Sequence, residues 1–148
     1  SAIAWAWRQV GFVVTLTGLD RDAYAAALQT GDFMFAVVSV NLGLDPDLYP
    51  FLASSQVRTD GSNVAGVQSA DLDALLAAAR QPGTLEERTV RYRALQAFVN
   101  QQSIVLPLYF ADQSVVVSAS VEGVAVRQVA DPGERYWDVL TWRLADGR

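Results

Sequence analysis

Three pairs of carboxylates, Asp20 with Asp22, Asp45 with Asp47 and Asp71 with Asp73, are the side chains of this sequence best suited to proton transfer. General acid–base chemistry needs two carboxyls in different environments, held several ångströms apart across a cleft. Close neighbours in sequence seldom achieve that separation. Asp71 and Asp73 fall in the first turn of a helix, where a carboxylate favours the positive end of the dipole. Asp20 stands where a helix cap is needed, and Asp45 followed by Pro46 suits the start of a helical turn. Histidine and cysteine are both absent, which removes the usual bases, nucleophiles and soft metal ligands together. A hard cation would need several oxygen ligands, and the Asp45 to Asp60 stretch offers three carboxylates without the calcium-loop spacing. Phosphate-loop and dinucleotide glycine patterns are missing. No catalytic residue, metal or cofactor is therefore expected. Four Trp and five Tyr could stack on sugar rings or peptide side chains, although most aromatics sit at core spacing.

Composition narrows the class further. Hydrophobic residues make up 51% and charged residues 18% of the 148, an apolar-rich globular balance rather than a disordered one. The net charge is −5, and the 11 positive residues are all Arg scattered along the chain, so no nucleic-acid footprint is expected. The longest apolar run, Phe33 to Val38, is far too short to span a bilayer. No charged segment of the signal-peptide kind precedes the first apolar residues. The chain opens inside a helical pattern, Ile3, Trp7 and Val10, and reads as an excised piece of a longer protein.

The elements that must position any site read as alternating strands and helices within one domain, 1–148. The first helix stops at Gly11, and Phe12 to Thr17 reads as a strand. Asp20 caps a helix from about Arg21 to Thr30, with Leu19 and Tyr24 placed for a hydrophobic staple and Gly31 for a left-handed stop. Phe33 to Val38, apolar throughout, reads as a strand covered on both faces. A long connection from Ser39 to Ser69 follows, with one helical turn after Asp45-Pro46, and connections of that length are often functional. Ser69 caps a helix whose Leu72, Leu75, Leu76 and Ala79 share a face until Pro82-Gly83. Thr84 and Glu87 form a capping box for a second helix with Leu85, Tyr92, Leu95 and Val99 inward and Arg88, Arg91 and Arg93 mostly toward solvent. Strands are expected at Ile104 to Phe110, where Pro107 suits an edge, and at Val115 to Ser118, Val121 to Val129 and Trp137 to Leu144. In the last of these, Leu140, Trp142 and Leu144 would line one apolar face.

The order of several short blocks carries more information than any one of them. A helix holding Trp7, Val10 and Gly11 is followed by Gly31-Asp32-Phe33, Asp45-Pro46-Asp47, Asn63 to Gly66, Leu72 to Leu76, the Arg88 to Val99 helix and Leu106 to Phe110. This series, over roughly residues 3 to 126, resembles the C-terminal part of the family 5 extracellular solute-binding proteins, the peptide-, nickel- and oligosaccharide-binding receptors of ABC importers. The resemblance implies an α/β fold: one lobe of a type II periplasmic-binding-protein fold, a mixed sheet flanked by helices, with a strand tail at 127–148. It implies extracytoplasmic binding of a small solute, a peptide, oligosaccharide or similar, between two lobes, without chemistry, and a membrane permease as partner of the full-length protein. The same lobe pair also occurs fused to DNA-binding domains as a solute sensor of transcriptional regulators, which is the alternative function. Because ligands of α/β sheets bind beyond the carboxyl ends of strands, the expected ligand-binding residues are Ser39, Val40, Asn41, Leu42 and Gly43. Peptide-binding members typically carry an acidic residue a few positions before the Asp-Pro, which pairs with the peptide's free amino group. Leu42 or Gly43 stands there, and Val67 replaces a common tyrosine, so a standard free-amine peptide is disfavoured. A lobe separated from its partner would also leave apolar faces uncovered, with Trp5, Trp7, Trp137 and Trp142 contributing, and could form a homodimer.

Overall fold

The computed structural model describes residues 1–43, 45–57, 61–112, 114–127, 129 and 131–145, and the chain divides into two compact units, Ser1–Ala36 and Val37–Arg148. In the first unit the apolar periodicity yields α1 (Ala2–Gln9), where the Ser1 hydroxyl accepts the Ala4 amide at 3.4 Å. Gly11, at φ +96°, turns the chain out of the helix in the left-handed region that glycine enters freely. The Trp7 ring then gathers its neighbours, standing 6.0 Å from Phe12 and edge-on to Phe35 at 4.8 Å. The second helix, α2 (Arg21–Thr30), has the limits and caps that the sequence indicates. Asp20 Oδ1 accepts the Ala23 amide at 2.9 Å, and Gly31, at φ +72°, closes the helix with its amide on the Ala27 carbonyl.

In the second unit, a single turn α3 (Tyr49–Leu52) and a 3₁₀ turn (Ser54–Gln56) lead to a helical hairpin of α4 (Ala70–Ala79) and α5 (Leu85–Gln101). The core is Leu52, Ala53, Leu72, Leu76, Ala79, Leu95 and Val99, with Leu75, Tyr92, Phe98 and Ile104 packed on its margin. Side-chain caps fix the hairpin's ends. The Ser69 hydroxyl accepts the Leu72 amide, and Thr84 and Glu87 form the full reciprocal box that starts α5. Ser54 joins the layers, its amide donating to Asp73 at 2.8 Å while its hydroxyl accepts the Ser69 amide at 3.1 Å. Leu85, expected inside, is 84% exposed: the helices meet at Leu95 and Val99, and the first turn of α5 is given over to its cap.

Asn63 organises the connection between α3 and α4. It is buried, and its amide group donates to the Ala53 and Val67 carbonyls at 3.0 Å each, while its own backbone amide bonds the Gln56 carbonyl at 2.9 Å. Gly61 lies so close to the Gln56 backbone that a Cβ there would enter the carbonyl oxygen's van der Waals envelope.

Beyond α5 the described chain is mostly irregular. A two-residue antiparallel ladder joins β1 (Val121–Glu122) to β2 (Arg143–Leu144), pairing Val121 with Leu144 and Glu122 with Arg143. The strands expected at Phe12 to Thr17, Phe33 to Val38, Ile104 to Phe110 and Val115 to Ser118 make no ladder among the described residues. Aromatic and β-branched residues favour a pleated, half-buried surface rather than an intrinsic backbone state, and without a hydrogen-bonded neighbour their propensity yields no strand. Val121 to Val129 is a strand only at its start, and residue 128 lies outside the described set. Trp137 to Leu144, which follows one 3₁₀ turn (Pro132–Tyr136), curls through a second (Val139–Thr141) before β2, so Leu140 and Leu144 are exposed rather than lining an inner face. Asp138 causes the curl: buried, it accepts the Ala125 amide at 2.6 Å and the Trp142 indole N–H at 2.9 Å, local bonds that compete with a ladder. Those two bonds also hold its carboxyl below the usual range.

Candidate functional site

The expected ligand loop opens the second unit. Ser39, Val40, Asn41 and Gly43 are exposed and Leu42 is half-buried. Asn41 Oδ1 accepts the Gly43 amide at 3.0 Å, an Asx turn that shapes the loop tip, and Gly43 adopts φ +66°. A short polar side chain and a glycine are the residue types this bend requires.

Immediately beyond the loop, the Asp45-Pro46-Asp47 segment is tied to the helical hairpin. Arg88 Nη2 stands 3.0 and 3.2 Å from the two oxygens of Asp45, and the Tyr92 hydroxyl donates to Asp45 Oδ1 at 3.2 Å. Arg88 and Tyr92 are four residues apart on α5 and therefore share a face. On the other side of Pro46, Asp47 Oδ2 lies 3.4 Å from Arg80 Nε, and Asp47 Oδ1 accepts the Tyr49 amide at 3.0 Å. The Arg80 guanidinium also stacks over the Tyr49 ring at 4.6 Å. Asp45, Asp47, Arg80, Arg88 and Tyr92, with Gln81, Pro82 and Gly83, line an open cleft of about 440 Å³.

Asp45 was expected to cap the turn after it. The turn starts later, at Tyr49, behind Leu48 and with no side-chain cap; Asp47, one residue earlier, accepts the Tyr49 amide, and Asp45 is drawn to Arg88. Arg88 and Arg91 were expected to face solvent. Arg88 is a partner of Asp45, and Arg91 donates to the Gln81 and Pro82 carbonyls at 2.8 and 3.2 Å, fastening the link between α4 and α5. Burial and the nearby Asp45 carboxylate push the Tyr92 phenol up, so it stays a neutral donor; the Tyr92 hydrogen bond and the Asp45 charge push the Arg88 guanidinium up as well. Each Asp in the cleft is thus matched to an Arg, an arrangement that holds backbone in place. The sequence held one sign of it, the four-residue spacing of Arg88 and Tyr92, but nothing local points from there to Asp45.

A second open cleft of about 440 Å³ is lined by Ser114 to Ser118, Arg135, Tyr136 and Trp142. Among the described residues no group of three acids could hold a metal ion, and no helix is long and apolar enough to cross a membrane.

No family model matches the chain, and no solved structure does. The sequence is similar to the probable deoxycholate-binding periplasmic protein YgiS of Escherichia coli strain K12, being 27% identical over 132 residues. The match takes in 88% of this chain and 24% of that protein, so the chain spans about a quarter of the length of this relative, a periplasmic ligand-binding protein.

Proposed function

We propose that this chain is part of the solute-binding receptor of an ABC-type importer of the family 5 kind, one lobe of a type II periplasmic-binding-protein fold. It works outside the cytoplasm, closes on a small solute without chemistry, and delivers it through the full-length protein to a membrane permease. The observation that carries this reading is the 132-residue similarity to a periplasmic ligand-binding protein, which takes in 88% of this chain. The capped helices α4 and α5 stand where those blocks call for them, which supports it. Ser39 to Gly43 supply this lobe's ligand contacts. Leu42 and Gly43 offer an ammonium group nothing to pair with, so the solute is one without a free amine, and an apolar, bile-acid-like molecule suits Val40 and Leu42 better than a free peptide does.

A thermal-shift series on the full-length protein tests this. A ligand that binds only the folded state stabilises it by about 2.7 kcal/mol at a hundred times its dissociation constant. Deoxycholate, oligosaccharides or capped peptides should raise the melting temperature, and free-amine peptides and nickel complexes should not. A shift with free-amine peptides alone would overturn the ligand class. Silence across the whole panel would overturn the receptor reading.

A further inference from the structure

We infer that Asp45, Arg88 and Tyr92, backed by Asp47 and Arg80, form a clasp that sets the stance of the Ser39 to Gly43 loop, making them positioning residues for ligand binding. The inference rests on the reading of that loop as the ligand-binding segment. Its geometry stands independently of that reading. All of the loop but the half-buried Leu42 is exposed, and the bond from the Gly43 amide to Asn41 is local to its tip. Asp45 comes only two residues after Gly43, and two residues reach at most about 7 Å, so whatever pins Asp45 limits where the loop can go.

Three hydrogen bonds from two side chains do the pinning. Arg88 reaches both Asp45 oxygens and Tyr92 adds a third hydrogen bond, across 43 and 47 residues of sequence. Both come from α5, whose Leu95 and Val99 are buried in the core, so the anchor is an element packed into the body of the unit. A second pair, Asp47 with Arg80 at the end of α4, grips the other side of Pro46, whose ring removes a backbone freedom between the two acids. The side chains of Asp45 and Arg88 are 62% and 39% exposed, which keeps the energy of the pair small. A weak tether still serves, because it limits a short loop rather than holding a fold together.

The test uses the full-length protein as wild type, Arg88→Gln, Arg88→Lys and Tyr92→Phe, with amide hydrogen exchange and calorimetric titration of deoxycholate. The clasp predicts exchange over residues 39–47 faster by about 1.5-fold to fivefold in Arg88→Gln, the range open to a partly exposed ion pair. Arg88→Lys should recover part of this, and exchange at Leu72 to Ala79 and Leu95 to Val99 should not move. Deoxycholate affinity should fall by a similar factor. Unchanged exchange over 39–47 overturns the clasp. Faster exchange with unchanged affinity overturns the positioning role. A wild type that ignores deoxycholate refutes the bile-acid reading of the ligand, while the exchange arm still decides the clasp.

Discussion

Replacing Asn63 with alanine should be among the most damaging single changes to the second unit, although it deletes only a small polar group. The side chain is 1% exposed and donates to the Ala53 and Val67 carbonyls at 3.0 Å each. Each such bond contributes about 1 kcal/mol net, and each buried acceptor left dry costs about 1–3 kcal/mol. The Asn63 side-chain oxygen has no partner among the described residues, so its removal gives back the desolvation cost of one dry acceptor, about 1–3 kcal/mol. The expected cost is about 3 kcal/mol, which with a urea slope of about 2 kcal/mol/M moves the unfolding midpoint by about 1.5 M. Urea titration followed by far-ultraviolet circular dichroism reads this directly. Asn63→Asp sharpens the argument. At neutral pH a carboxylate has no hydrogen to donate, so the same carbonyls go unpaired and a charge is buried beside them, which raises the folded-state pKa. A raised carboxyl penalises folding above that pKa, and the penalty shrinks as pH falls through it toward the unfolded value of about 3.9. The aspartate variant should therefore recover part of its deficit at pH 5, whereas the alanine variant should not. A midpoint shift below about 0.3 M for Asn63→Ala would refute the reasoning and mean that water satisfies both carbonyls.

Two further outcomes follow from features on the surface. Glu87 has its carboxyl held below the ordinary range by the Thr84 backbone amide and then the Thr84 hydroxyl. Its contribution is therefore complete above the unfolded value of about 4.3 and is lost as pH falls through the lowered folded value, so the start of α5 should fray in acid. Amide exchange at Leu85 to Arg88 should show this acid step in the wild type and lack it in Glu87→Gln. Trp5, Phe12, Met34, Leu106 and Phe110 are all exposed, which predicts association of the 148-residue chain as its concentration rises. Light scattering that stays at the monomer mass, 16.0 kDa, at high concentration would contradict it.

What could be read from the sequence was what is decided within a few residues. Asp20, Gly31, Ser69 and the Thr84–Glu87 box mark helix ends, because a cap answers orphan backbone groups three or four positions away. The buried stripe Leu72, Leu76 and Ala79 was legible for the same reason, since one helical face is a periodic pattern. The clasp was not legible, because Asp45 and Arg88 stand 43 positions apart and meet only after the residues between them have folded. Asn63 stood out in its block as a motif residue, yet its partners are backbone carbonyls that carry no sequence signature. The segments Phe12 to Thr17 and Phe33 to Val38 mislead in the opposite direction: their composition is that of strands, but pairing depends on a neighbour that composition does not specify. Of the loop, its exposure and its Asn41–Gly43 turn follow from residue types, while what it binds rests on similarity.

Gly61 sits against the Gln56 carbonyl, where any side chain, alanine included, would collide with backbone rather than with a flexible group that could step aside. Nineteen of the twenty amino acids are excluded there by one atom. In a library covering every substitution along the chain, position 61 should read as intolerant as the buried leucines while burying almost nothing itself. A tolerance map would then separate positions protected by what they contribute from one protected by the space it leaves empty.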